Sequence, residues 1–145
     1  MDQQSIGDHL ELRALVDEVA ILSDKKSFGA QVQLFTEDAV TEITANGEIV
    51  MQLVGRKAML QAFENFNKSF TATFHLNGQH VVSVNGNLAS GTLYCSVSLI
   101  SVEDGYKVKS TIGAVYKDEY KKINGKWLIS AKYGNFIWQD KTILS

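Results

Sequence analysis

Apolar residues recur at three- and four-residue steps near the start of this 145-residue chain and at alternate positions through most of the remainder. Leu12, Leu15, Val16, Val19 and Leu22 form the stripe of an amphipathic helix. Ser5-Ile-Gly-Asp8 has the spacing of a capping box, with Asp in place of Glu, and Lys25-Lys26 suit the negative end of that helix. Ser27 is placed to cap a short second helix carrying Leu34 and Phe35. An alternating segment from Asp38 to Ile43, a loop at Asn46-Gly47 and a strand from Glu48 to Leu53 follow. Gly55 then opens a third helix with the stripe Met59, Phe63, Phe66 and Phe70.

From Thr73 onward the pattern is that of strands. Val81–Val84 and Leu88–Val102 flank a turn at Asn85-Gly86-Asn87, and a loop at Glu103-Asp104-Gly105 leads into a final ribbon from Gly113 to Phe136. Asn124-Gly125 predicts the ribbon's turn, because a type I′ turn needs positive φ at both central residues. Arms of about ten residues span roughly 33 Å at strand rise, so the ribbon must curve around something. A two-residue loop there places Tyr116 opposite Tyr133 and Lys117 opposite Lys132. Leu93, Cys95, Val97 and Leu99 share one strand face, expected to be interior, and Thr92, Tyr94, Ser96 and Ser98 share the other; a bulge would reverse this locally. Helices first and a long antiparallel meander after them predict one α+β domain over residues 1–145, with helices packed on one face of the sheet.

Composition narrows the function. A net charge of −2 argues against a nucleic-acid partner. No apolar run approaches the roughly 18 residues of a membrane helix, and Met1–Ser5 lacks the features of a signal peptide, so a cytoplasmic location is expected. The chain has no Gly-rich phosphate loop, no nucleophile elbow and no Cys or His cluster at metal spacing, so neither cofactor nor metal is expected. Cys95, the single cysteine, sits mid-strand among apolar residues as inert core. Chemistry must therefore run on acid–base groups in an apolar pocket.

Asp24 lies at the border of the apolar stripe where the first helix ends. A carboxylate at that negative end is disfavoured, so something should compensate it. His75 enters the first long strand between apolar neighbours. If both face one cavity, the carboxylate accepts one ring N–H and leaves the other nitrogen as a base. His9 and His80 are assigned no role. Tyr94, Tyr116, Tyr133 and Lys132 lie on predicted sheet, where cross-strand aromatics commonly serve packing. Of these, Tyr116 and Lys132, with Tyr94 behind them, are candidates to bind substrate and polarise an oxygen.

Several segments resemble the SnoaL-like group of the nuclear transport factor 2-like superfamily. They are Leu22-Ser-Asp24-Lys-Lys-Ser-Phe28, Leu34-Phe35-Thr-Glu-Asp38-Ala39, Gly55-Arg-Lys-Ala-Met-Leu60, Thr73-Phe-His75, Val84-Asn-Gly86-Asn-Leu-Ala89, Tyr116-Lys-Asp-Glu-Tyr120 and Gly125-Lys-Trp127. The resemblance covers nearly the whole chain. It implies a cone-shaped α+β barrel: three helices packed in a strongly bent, mixed, mainly antiparallel sheet that encloses a deep apolar pocket.

Within that group the chain resembles scytalone dehydratase and hexachlorocyclohexane dehydrochlorinase. Both pair an Asp at the end of helix one with a His on the first long strand, and Asp24 and His75 fall on those positions. The departures lie in the groups that activate a leaving group. Ser23 stands where the dehydratase has Tyr, Leu99 at or near its second His, and Ala114 and Tyr116 near its Ser and Asn. Val19 stands where the dehydrochlorinase has Lys, and Lys132 matches its last-strand Arg.

The resemblance implies a cofactor-independent lyase or isomerase acting on a small apolar organic molecule. The same fold also serves as a non-catalytic binding or assembly module. A homo-oligomer, dimer or trimer, fits either use, with Tyr120, Trp127 and Trp138 as candidates for its exposed face.

Overall fold

The computed structural model describes residues 2–144; Met1 and Ser145 lie outside the described residues. Helix α1 spans Gln3–Asp24, α2 Phe28–Val32 and α3 Arg56–Asn67. The strands are β1 (Phe35–Ala45), β2 (Glu48–Val54), β3 (Ala72–Asn85), β4 (Leu88–Glu103), β5 (Tyr106–Ile123) and β6 (Lys126–Leu144). They form one six-stranded sheet in the order β2-β1-β6-β5-β4-β3. Every pairing is antiparallel except β1 with β6. The mixed α+β fold is therefore the expected one, a cone-like sheet around helices, but the sheet does not close into a barrel. Its edges are β2 and β3.

Helix α1 begins earlier than the Ser5–Asp8 spacing predicts. Asp2 is the N-cap and its carboxylate accepts the Ser5 N–H at 2.8 Å. Asp8 instead lies inside the fold, 4% exposed, where its Oδ1 accepts from Trp127 Nε1 at 2.9 Å and Lys122 Nζ at 3.1 Å. The Trp127 hydrogen bond, with Lys122 adding to it against the cost of burial, holds the Asp8 carboxyl below its ordinary value of 3.8. A depressed carboxyl stabilises the fold above that ordinary value and ceases to do so as the pH falls through the folded value. The stability advantage of wild type over Asp8→Asn, read from denaturant midpoints, is therefore expected in full near neutrality and to shrink on acidification below about pH 4. An advantage that grows with acidification would contradict this role.

Helix α2 stops at Val32, short of the predicted Leu34 and Phe35, because the backbone there is claimed from outside. Ile129 N–H donates to Leu34 O at 3.0 Å, and the Arg56 guanidinium donates to Phe35 O at 2.7 and 3.0 Å. Phe35 opens β1 instead.

The final ribbon is longer than its predicted span, with arms of 18 and 19 residues. Asn124 (φ 51°) and Gly125 (φ 78°) supply the expected turn. Its register differs from the sequence expectation: Tyr116 pairs with Gly134, Lys117 with Tyr133 and Asp118 with Lys132. The cause is a bulge. Glu119 pairs with Ala131 and Tyr120 with Ile129, so Ser130 is left over. Inward facing therefore passes from Trp127 and Ile129 to Lys132 and Gly134, and Tyr133 turns out, 40% exposed.

Trp127 and Tyr120 are 2% and 1% exposed, so of the three aromatics expected on the outer face only Trp138, 52% exposed, stands there. Gly134 packs close beneath Tyr116: a Cβ at that position would stand 2.7 Å from both Ile43 Cδ1 and Tyr116 Cε1. Gly134→Ala is therefore expected to cost about 1–3 kcal/mol of stability, seen as a lower denaturant midpoint. An unchanged midpoint would mean that the ring gives way freely.

Candidate functional site

Helix α1 ends at Asp24, and the Lys26 side chain ties this end to the close of α3 by donating to Asn67 O at 3.0 Å and to Phe70 O. Strand β3 runs alongside as a sheet edge whose outer backbone groups need covering. Helix α1 provides the cover: Arg13 donates to Gly78 O at 2.8 Å, and Asn77 Nδ2 donates to Val16 O at 3.1 Å. Further along the same seam Asp24 meets His75. Its Oδ2 accepts the His75 backbone N–H at 3.0 Å, and its Oδ1 lies 2.6 Å from His75 Nδ1 and accepts from Thr73 Oγ1 at 3.3 Å. These donors are the compensation that a carboxylate at a helix C-terminus requires.

A carboxylate at Nδ1 draws the proton to that nitrogen and leaves Nε2 with its lone pair. No side chain or backbone group among the described residues bonds to Nε2. The two side chains are 19% and 25% exposed, within reach of solvent but largely covered.

His75 forms part of the wall of a cavity of about 160 Å³ between the helices and the inner face of the sheet. The wall is largely apolar, with Phe28, Phe35, Phe63, Val97, Leu99 and Ile112 prominent in it. Tyr116 and Lys132 line the same cavity. Burial, with the negative charge of Asp118 behind it, pushes the Tyr116 hydroxyl well above its ordinary value, so the phenol stays protonated and able to donate.

Lys132 Nζ sits 4.4 Å from the Tyr116 ring centroid and donates to both oxygens of Asp118, at 2.9 and 3.1 Å. Asp118 Oδ2 also accepts from Tyr120 OH at 2.9 Å, which places His80 Nε2, 3.0 Å from that hydroxyl, as its donor. Burial depresses His80 below the usual imidazole value, so the ring rests neutral. The cavity cation is thus held from behind by a chain running from the half-buried His80 through the buried Tyr120 and Asp118.

Three of the five expected site residues, His75, Tyr116 and Lys132, line this one cavity, and Asp24 reaches it only through its bond to His75 Nδ1. Tyr94 is not among them. Strand β4 keeps an unbroken register with β5, so the alternation that buries Leu93 and Cys95 turns Tyr94 out, 48% exposed on the opposite face. Cys95 is the inert residue expected; burial pushes its thiol up to about 11.

Sequence reading missed Asp118. Asp118 carried a signal, because it shares strand parity with Tyr116 and Tyr120 and an inward carboxylate demands a cationic partner. Among the described residues no three His, Cys, Asp or Glu side chains come together as a metal-ligand set, and no helix is long and apolar enough to cross a membrane.

The profile of the SnoaL-like domain family matches residues 4–132. No curated protein sequence matches the chain. Among solved structures, a provisionally assigned scytalone dehydratase from Novosphingobium aromaticivorans superposes with a TM-score of 0.86 at 15% identity, over 100% of this chain and 94% of that one. A hexachlorocyclohexane dehydrochlorinase from Novosphingobium barchaimii gives 0.80 at 21% identity, over 100% and 95%. A nuclear transport factor 2-like protein with a cystatin-like fold from Novosphingobium aromaticivorans gives 0.73 at 18% identity, over 92% and 84%. The last agrees with the open, cone-like α+β sheet seen here. The chain belongs to the SnoaL-like domain family.

Proposed function

We propose that this chain is a cofactor-independent lyase or isomerase that uses His75 as a general base on a small, largely apolar organic substrate. The observation that carries the reading is the Asp24–His75 pair at the wall of an apolar cavity, with the 2.6 Å contact at Nδ1 leaving Nε2 without a protein partner. Two structural relatives named for elimination reactions agree with it.

His75 Nε2 takes a proton from carbon, beside a carbonyl or opposite a leaving group. Asp24 fixes the ring tautomer and stabilises the imidazolium that forms. The Lys132 ammonium and the Tyr116 hydroxyl face the same space and polarise the substrate oxygen on which charge develops. Tyr94, on the opposite face, takes no part.

Proton abstraction can be read without the natural substrate. Cyclic ketones such as 2-tetralone, incubated with the protein in deuterium oxide, should exchange their α-protons faster than in buffer, as followed by NMR. Exchange at the buffer rate across a panel of such ketones would count against the reading.

The alternative use, as a binding or assembly module, gains less support, because such a module has no need of a carboxylate-held imidazole at the cavity wall. A dimer or trimer remains compatible with the enzyme reading. The surface offered for it is the outer sheet face around Ile137 and Trp138, 58% and 52% exposed.

A further inference from the structure

Lys132 needs only Asp118 as its counter-charge, yet the hydrogen bonds continue behind the pair. Lys132 Nζ lies 3.1 Å from Asp118 Oδ2, that oxygen accepts from Tyr120 OH at 2.9 Å, and His80 Nε2 stands 3.0 Å from the same hydroxyl. These contacts draw one unbroken line from the cavity wall across β6, β5 and β3. Lys132 lines the cavity; Asp118, Tyr120 and His80 do not. The middle of the line is closely walled, since a Cβ at Gly91 would stand 3.3 Å from the Tyr120 hydroxyl. Its far end is open. His80 is half-buried, and its Nδ1 has no partner among the described residues but is not one of the buried atoms left without one, so it keeps surface that water reaches.

The bonds also share one direction. The single Tyr120 proton goes to Asp118, so His80 Nε2–H donates to the Tyr120 oxygen and the neutral ring carries its lone pair on Nδ1. From His80 to Asp118 every donor therefore points towards the cavity. Burial, with Asp118 beside it, keeps the Tyr120 phenol protonated. A proton passes it only by exchange: Tyr120 gains one from His80 as it gives its own to Asp118.

We propose that His80, Tyr120 and Asp118 form a relay that returns a proton to Lys132 from solvent, behind the bound substrate. This rests on Lys132 facing the substrate oxygen, as in the preceding reading. An oxygen that leaves as water, or ends as a hydroxyl, keeps a proton from Lys132 and leaves a neutral amine behind a filled cavity. A solvent proton then adds to His80 Nδ1. The Nε2 proton passes to the Tyr120 oxygen while the Tyr120 proton passes to Asp118 Oδ2, and from there a proton moves to the Lys132 amine. One proton enters at His80 for each that Lys132 gives up, and the count closes when His75 releases the one it took from carbon. The Tyr120 hydroxyl then turns back to Asp118, and exchange with water restores the ring tautomer. None of the three touches substrate; they act through Lys132.

The test reads the Lys132 ammonium protons themselves, by NMR of protein labelled with nitrogen-15 lysine, the signal being identified by its loss in Lys132→Met. The cavity is filled with 2-fluoronaphthalene, an apolar ring with no exchangeable proton, to close the front. Tyr120→Phe deletes only the hydroxyl. His80→Gln keeps an N–H to donate to Tyr120, but its amide takes up and passes no proton. Each variant should slow exchange of the Lys132 protons with water by about 10²-fold, the low end of what a placed proton-transfer group contributes.

A chain that only props Asp118 predicts otherwise: faster exchange from a loosened ammonium in Tyr120→Phe, and no change in His80→Gln. Exchange at or above the wild-type rate in either variant would overturn the relay. Should Tyr120→Phe prove unstable, the half-buried His80→Gln position decides. Failure of the general-base reading leaves a different mark, with ketone α-proton exchange absent and the slowing at Lys132 intact.

Discussion

His75→Ala is expected to abolish exchange of the ketone α-protons while the fold survives. A general base contributes about 10²–10⁴-fold, and here no other imidazole reaches the cavity to replace it. His9 bonds to Ser5 O in the first turns of α1, and His80 is committed to Tyr120. The fold should tolerate the change, because His75 is partly exposed on an edge strand and Asp24 keeps the backbone N–H of residue 75 and the Thr73 hydroxyl.

Asp24→Asn should lose activity by a similar order for a different reason. An amide can present its N–H₂ to Nδ1, and the ring then carries its proton on Nε2, where the substrate needs a lone pair. Exchange rates of both variants, with a circular-dichroism melt beside each, check the pair. Full activity in a folded His75→Ala protein would end the general-base account.

The largest effect on stability is expected at Asp118. Its side chain is 0% exposed and carries two bonds from Lys132 and one from Tyr120. Asp118→Ala strands the Lys132 ammonium, 11% exposed, against the Tyr116 ring with no counter-charge. Removing one partner of a buried pair costs about 3–5 kcal/mol, whereas replacing both by apolar residues of similar size is often nearly neutral. Denaturant midpoints should therefore fall sharply in Asp118→Ala and recover in the double variant Asp118→Leu, Lys132→Met. A double variant as unstable as the single one would show that packing, not charge, makes Asp118 costly to remove.

The element order and most of the inward-facing residues could be read from the sequence because they follow from local rules. Three- and four-residue spacing marked α1 and α3, alternation marked Leu93 to Leu99, and Asn124-Gly125 marked the turn. What escaped depends on contacts between distant segments. The Ser130 bulge has no local signature, yet it turns Lys132 inward and pairs it with Asp118 rather than Lys117. The end of α2 is set by Ile129 and Arg56, remote in sequence from Leu34 and Phe35.

Asp24 and His75 were named from the sequence because an Asp at a helix end needs donors and because the family resemblance placed both residues. Tyr94 was ruled out by the same alternation that had already put it with Thr92 and Ser96, once no bulge intervened. The line from Lys132 to His80 could not be found this way, since only the folded chain brings β3, β5 and β6 together there.

The most direct test is the tautomer of the His75 ring, from nitrogen-15 and proton NMR of the imidazole at neutral pH. Only three histidines need assignment. A proton held on Nδ1, slow to exchange and lost from that nitrogen in Asp24→Asn, with a bare Nε2 whose resonance moves when 2-tetralone fills the cavity, is the expected result. A proton on Nε2 in the wild-type protein would mean that the lone pair faces Asp24 rather than the cavity, and His75 could not be the base.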